Sequence, residues 1–105
     1  MFVDGIAAGI LETYFNSGQL HEKFYLKNGQ LDGDYKFYYE NGNLFREGNF
    51  KDDKDNGPSI RYHDNGKIWI EETYNHGKVD GEVKKYDKDG KLIKTMKFQN
   101  GKEIS

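Results

Sequence analysis

Apolar and polar residues alternate along this chain in short bursts, and turn signals cut the bursts at fixed places. DYKFYY (34–39), LFREGNF (44–50) and IWIEETY (68–74) are six or seven residues long. That is strand length and too short for helices. One kind of break reads NSG, ENG, DNG or KDG; the other reads KNG, KDD, NHG or QNG. Glycine suits both because a tight turn needs positive φ. The pattern predicts a string of β-hairpins, about eight or nine strands, each paired with its sequence neighbour.

The bursts recur every 24 residues. With Gly9, Gly33, Gly57 and Gly81 as origins, Tyr14, Tyr38, Tyr62 and Tyr86 follow five places on. Nine places on come Gly18, Gly42, Gly66 and Gly90, and eleven on come Leu20, Leu44, Ile68 and Leu92. Leu26, Phe50, Tyr74 and Phe98 stand at plus seventeen, and Gly29, Asp53, Gly77 and Gly101 at plus twenty. Asp53, the one departure, is of a residue type that tolerates the left-handed region. Self-similarity at such a period marks a repeat architecture. Residues 1–105 read as one repeat domain with units 9–32, 33–56, 57–80 and 81–104. FVDG (2–5) resembles LKNG (26–29) and FQNG (98–101), so Phe2 and Gly5 read as the tail of a truncated preceding unit at 1–8. The fold expected is all-β: a single-layer antiparallel meander of hairpin repeats, rolled or twisted.

Loop length decides which residues share a face. A three-residue loop, a type I turn followed by a glycine bulge, sets Tyr38 and Leu44 on one side. Face A then carries the tyrosine column, the Leu/Ile column and the column of Leu26, Phe50, Tyr74 and Phe98, a stripe that stacked units bury together. Its tyrosines hold one unit to the next. Face B is uneven. Its first strands read Leu11, Thr13, Phe15; Tyr35, Phe37, Tyr39; Ser59, Arg61, His63; and Val83, Lys85, Asp87. Its second strands add His21, Phe45, Trp69 and Ile93. Aromatic residues beyond those the repeat requires mark a contact surface. The candidate partner-binding residues are Tyr35, Phe37, Tyr39, Phe45 and Trp69, with Arg61 at the rim.

Composition narrows the function classes. Hydrophobic residues make up 34%, a lean supply of core, but aromatics reach 15% and there are 13 glycines against 1 proline. That balance fits short strands and tight turns. Net charge is −2, from 16 basic and 18 acidic residues. No basic field draws the chain to nucleic acid or to anionic lipid. Lys36, Lys84 and Lys85 do alternate with aromatics, but acids share their strands. Cysteine is absent, which removes disulfide and thiolate chemistry. No apolar run of about 18 residues could cross a bilayer, and MFVDGIAAGIL lacks the basic start of a secretory signal. The expected setting is the cytoplasm.

Catalytic and metal chemistry find no motif. His21, His63 and His76 fall in three different columns, as solvated or turn histidines. KDDKDNG (51–57) resembles a calcium loop, but counting from Asp52 puts Lys54 third and His63 twelfth, where oxygen ligands are needed. It reads as a solvated turn. Ser17, Ser59 and Ser105 sit in no nucleophile elbow. Glu71 and Glu72 are adjacent, so on a strand they point to opposite faces. The expectation is a non-enzymatic protein with no cofactor and no metal.

The pattern G-x4-Y-x3-G-x-L-x5-[FYL]-x2-G resembles the MORN-repeat variant of bacterial proteins, often grouped as the YwqK-type antitoxin family. YYENGNLFREGNFKDD, YHDNGKIWIEETYNHGK and YDKDGKLIKTMKFQNGK are similar to successive units of it, and the likeness spans residues 9 to 102. The matched positions are scaffold ones and transfer no catalytic residue. The resemblance implies a β-hairpin array used as a binding surface, with a bacterial toxin or nuclease-type effector as the protein neutralised. A second reading is a structural or assembly module that self-associates as a homo-oligomer or contacts membranes. An open single-layer sheet has two free edges.

Overall fold

A computed structural model describes residues 8–104. Phe2, Gly5 and Ser105 lie outside the described residues. Eight long strands are present: β1 (Ala8–Tyr14), β2 (Leu20–Lys27), β4 (Gly33–Tyr38), β5 (Leu44–Lys51), β7 (Gly57–Tyr62), β8 (Ile68–Asn75), β10 (Gly81–Tyr86) and β11 (Leu92–Gln99). Four short ones follow the second strand of each unit: β3 (Gln30–Leu31), β6 (Lys54–Asp55), β9 (Lys78–Val79) and β12 (Lys102–Glu103). All pairings are antiparallel, and the long strands lie side by side in chain order. The result is an open, unclosed meander of hairpins. Its backbone spans 45 × 33 × 14 Å, the shape of one layer.

Two turn chemistries generate it. Between β4 and β5, the Tyr39 N–H donates to the Asn43 carbonyl at 2.8 Å, and the Gly42 N–H donates to the Tyr39 carbonyl at 2.9 Å. Gly42 has φ 94°. This is the three-residue loop expected from the spacing, and it does set Tyr38 opposite Leu44. The other turn is a two-residue loop with positive φ at both central residues: 53° and 78° at Asn28-Gly29, 51° and 68° at Asp52-Asp53. That is the primed turn whose twist matches the flanking strands, and Asp53 adopts the left-handed conformation anticipated for it.

One feature overturns the expected faces. The register passes from Phe37↔Arg46 to Tyr38↔Leu44, so Phe45 is an extra residue without a partner of its own. His21, Trp69 and Ile93 occupy the same bulge in the other units. An extra residue reverses the in–out alternation beyond it. Phe50 therefore leaves face A. It pairs with Gly33 and lies against the Tyr35 ring, centroids 4.4 Å apart, on face B. Leu26, Tyr74 and Phe98 follow by the same register. Face A keeps the tyrosines and the Leu/Ile column, and the buried core sits on face B.

The core runs along the sheet. Tyr35, Ser59 and Val83, equivalent positions in three units, are 1%, 2% and 3% exposed. Ile70, Val83 and Met96 form an aliphatic cluster with Trp69, Val79 and Phe98 packed against it. In the earlier units Phe37 and Phe50 lie against Tyr35, and Phe24 packs on both of them. A single layer hides such side chains by laying them flat across neighbouring strands. Tyr35 covers Gly48 so closely that a Cβ there would stand 2.5 Å from the tyrosine hydroxyl. A strand glycine marks such close approach.

Candidate functional site

The bulges place a row of rings along the three-residue-loop end of face B. Each bulge residue meets the residue just past the first strand. Phe15 stacks on His21 with centroids 4.2 Å apart, Tyr39 meets Phe45 edge-on at 5.0 Å, and His63 lies against Trp69 at 5.5 Å. In the fourth unit the pair becomes Asp87 and Ile93.

Hydrogen bonds between units fix the strip. The Tyr39 hydroxyl donates to the Tyr62 carbonyl at 2.7 Å, and His63 Nε2 approaches the Tyr86 carbonyl at 2.9 Å, one unit further on. Asn41 and Asn43 donate to the Asp64 carbonyl, and Asn65 donates to that of Lys88. Tyr39, His63, Asp64, Trp69 and Lys88 together line a shallow, mostly apolar hollow. Burial, then the nearby Asp64 charge, raises the Tyr39 pKa, so its hydroxyl stays a donor. Asp64 pairs with Lys88 at 3.6 Å, which leaves the rim nearly neutral.

Behind the strip lies a polar network. The Tyr35 hydroxyl donates to Asp55 Oδ1 at 2.6 Å, and Arg46 reaches Asp55 Oδ2 at 3.7 Å. Arg46 Nε donates to Ser59 Oγ at 3.3 Å and its Nη2 donates to the Tyr74 hydroxyl at 3.3 Å. The guanidinium also sits over the Tyr35 and Tyr74 rings, 5.6 and 5.7 Å from their centroids. Tyr74 donates to Glu72, which meets Arg61 at 3.7 Å. Burial opposes the Arg46 charge, but Tyr35, Tyr74, Asp55 and Glu72 more than offset it and raise its pKa. Burial first, then the bond to Asp55, pushes Tyr35 up to about 12. Among the described residues, no buried side-chain polar atom lacks a partner, which is the condition for a buried network to specify one structure.

Face A carries a simpler device. The Tyr62 hydroxyl donates to Glu47 and the Tyr86 hydroxyl to Glu71, each in the preceding unit. Of the four column tyrosines these two tie unit to unit as expected, whereas the Tyr14 hydroxyl donates to Glu12 of its own strand. Burial and the Glu47 bond push Tyr62 up to about 12.

The candidate residues from the sequence therefore divide. Tyr39, Phe45 and Trp69 come together on the strip, each half-buried, with Tyr39 and Trp69 lining the hollow and Phe45 against Tyr39. Phe37 is half-buried against Phe24 and Tyr35. Arg61 joins Glu72 in the network. Tyr35 is not a contact residue at all: it is fully buried and its hydroxyl is used inside the fold.

Two histidines are also corrected. His21 and His63 are not solvated; they are packed into the strip. Only His76 sits in a turn, with φ 51°. KDDKDNG is partly a solvated turn, but its Asp55 belongs to the network. Glu71 and Glu72 do face opposite ways, toward Tyr86 and Tyr74.

Sequence reasoning missed the network as a unit. A signal was present. Ser59 stands in a column with Leu11, Tyr35 and Val83, and Asp55 with Leu31, Val79 and Glu103, while Arg46 shares its column with Glu22, Ile70 and Lys94. A hydroxyl and a carboxylate set into largely apolar columns, with a guanidinium on an adjoining strand, are best satisfied by one another.

Four segments, residues 8–28, 31–52, 55–76 and 79–100, match the family described as MORN repeat variant. Comparison with curated proteins and with solved structures gives no match. MORN repeats are commonly protein- or membrane-binding modules and are generally non-catalytic. Each matched segment carries one three-residue-loop hairpin of the sheet, and together they take in most of the described strands, so the chain belongs to the MORN repeat variant family.

Proposed function

We propose that this chain is a non-enzymatic protein-binding module and that its contact surface is the aromatic strip built on Tyr39, Phe45, His63 and Trp69. The observation that carries the reading is the hollow between the Tyr39 and Trp69 rings: apolar, open, and built from residues the repeat does not need. Half-buried Tyr, Phe and Trp, here with the tyrosine fixed by its bond to the next unit, are the side chains that anchor protein interfaces. The neutral Asp64–Lys88 rim favours a protein over an anionic membrane. The finer proposal, supported by the resemblance to YwqK-type antitoxins, is that the partner is a bacterial toxin or nuclease-type effector neutralised by direct contact in the cytoplasm.

The test compares the wild-type chain with Phe45→Ala/Trp69→Ala as bait in a host lysate. Circular dichroism melting first establishes that the variant is folded. The expected result is a partner held by the wild type and weakened by about 30-fold or more in the variant, the effect of losing a hot spot. Inhibition of that partner's activity at one-to-one stoichiometry would support neutralisation. A partner held equally by both proteins overturns the strip as the contact surface.

A further inference from the structure

The two edges of the sheet are not alike, and each lacks what the other offers. β1 is the first strand of a unit and β11 the second. Inside the chain, a second strand always receives the first strand of the next unit, in one register: Glu22↔Phe37, Arg46↔Arg61, Ile70↔Lys85. Carried one step further, that register sets Lys94 of β11 against Thr13 of a β1, and Thr95 against Glu12.

Exposure follows the same logic. In the column of Leu11, Tyr35, Ser59 and Val83, the last three each have a preceding unit and are buried. Leu11, with none among the described residues, is 38% exposed. In the bulge column His21, Phe45 and Trp69 are half-buried, while Ile93, with no following unit among the described residues, is 61% exposed. Ile10, Tyr14 and Leu92 are exposed in the same way. An exposed apolar sheet edge is a template for another strand.

Charge selects the partner. β11 carries Lys94 and Lys97 and no acid; β1 carries Glu12 and no base. Two β11 edges would set lysines against lysines, and two β1 edges would set Glu12 near Glu12. In the carried-over register Glu12 faces Thr95, with Lys97 diagonal to it on the same face, while Lys94 faces Thr13 on the other; unlike charges at such neighbouring positions are favourable and like ones unfavourable. β12 already covers the far end of β11 through Phe98 and Gln99. The open stretch is Leu92–Lys97.

We infer that the β11 edge of one copy pairs with the β1 edge of a second copy, head to tail, continuing the sheet in the register of its internal units. This contact is heterologous: in a pair of copies, one still presents its β1 edge and the other its β11 edge. Growth is therefore open-ended and does not stop at a dimer.

Cross-linking tests the register, because the chain has no cysteine of its own. Thr13→Cys and Lys94→Cys proteins, carrying tags of different size, are mixed and oxidised. Facing residues of paired strands have Cβ atoms about 4.5–5.5 Å apart, near enough for a disulfide after small adjustment. The expected result is a mixed dimer several-fold in excess of either homodimer. A protein carrying both substitutions gives a ladder of dimers, trimers and larger species. Sedimentation of the unaltered chain checks the contact without substitution at the junction: its mean mass rises steadily with concentration. Glu12→Lys suppresses that rise, and mixing it with Lys94→Glu/Lys97→Glu protein restores pairing between the two. Mixed and homodimers in the random 1:2:1 proportion, a monomer at every concentration, or a species that stops at the dimer would each overturn the inference. Phe45→Ala/Trp69→Ala leaves this association unchanged, so its outcome is separate from that of the partner-binding test.

Discussion

Gly48 offers the sharpest test of how the single layer hides its core. Its φ is not positive, so its backbone does not require glycine. The requirement comes from Tyr35. A Cβ on residue 48 would stand 2.5 Å from the tyrosine oxygen, 2.6 Å from Cζ and 2.9 Å from Cε2. These atoms cannot easily retreat, because the hydroxyl is held by Asp55 and the ring lies between Phe37 and Phe50. Gly48→Ala is therefore an overpacking change and should destabilise the protein by about 1–3 kcal/mol. In a Tyr35→Leu background the clashing atoms are gone, since leucine ends before that part of the ring. There the ordinary preference for alanine over glycine in a strand returns, about 0.5–1 kcal/mol in the other direction. The double-mutant cycle should thus give a coupling of roughly 1.5–4 kcal/mol with a change of sign. Urea unfolding followed by the fluorescence of Trp69, the sole tryptophan, measures all four proteins. If Gly48→Ala costs the same in both backgrounds, Tyr35 does not lie across Gly48 and the account of the core is wrong.

The buried tyrosines make a second prediction. Tyr35 and Tyr62 are both pushed up to about 12 from an ordinary 10. A raised value means the fold favours the neutral phenol, so this stability is fully present below about pH 10 and disappears as pH rises through 12. For Tyr35 the shift corresponds to about 2–3 kcal/mol. Urea midpoints at pH 9 and pH 11.5 should fall further apart in the wild type than in Tyr35→Phe/Tyr62→Phe; equal slopes would contradict the assignment. A third concerns His76, at the first central position of a primed turn with φ 51°. His76→Asn should raise the melting temperature slightly, while His76→Val should lower stability by about 1–2 kcal/mol. A valine variant as stable as the wild type would show that the turn has another shape.

The repeat itself was legible because its marks are local. A glycine nine places into each unit and a glycine or aspartate at plus twenty answer to backbone φ, a property of the residue and its immediate neighbours. So the turns, the strand lengths, the all-β class and the pairing of sequence neighbours could be read from the chain alone. The Tyr62 and Tyr86 ties between units were legible for the same reason, but the strict column does not repeat the contact throughout: the Tyr14 hydroxyl turns to Glu12 of its own strand.

What the sequence left open was parity. One unpaired residue at Phe45 and its equivalents turns every later side chain to the other face, and no residue type announces a bulge. Simple alternation puts Phe50 on the wrong side on that account, and with it the location of the core. Burial was the other undecided matter. Tyr35 and Tyr39 look alike as letters in DYKFYY. In the sheet, Tyr35 meets a glycine, an aspartate and two phenylalanines and vanishes, while Tyr39 meets an open hollow. Likewise Asp55 reads in the sequence as part of a solvated turn and Ser59 as a lone hydroxyl; the fold sets both within reach of Arg46. The sequence alone determined the hairpins, since turn geometry is a local cost. The tertiary structure decided which face is the inside, since that depends on register between strands whose paired residues lie as far apart in the chain as Ala8 and Lys27, where only the summed packing of both partners selects one pairing.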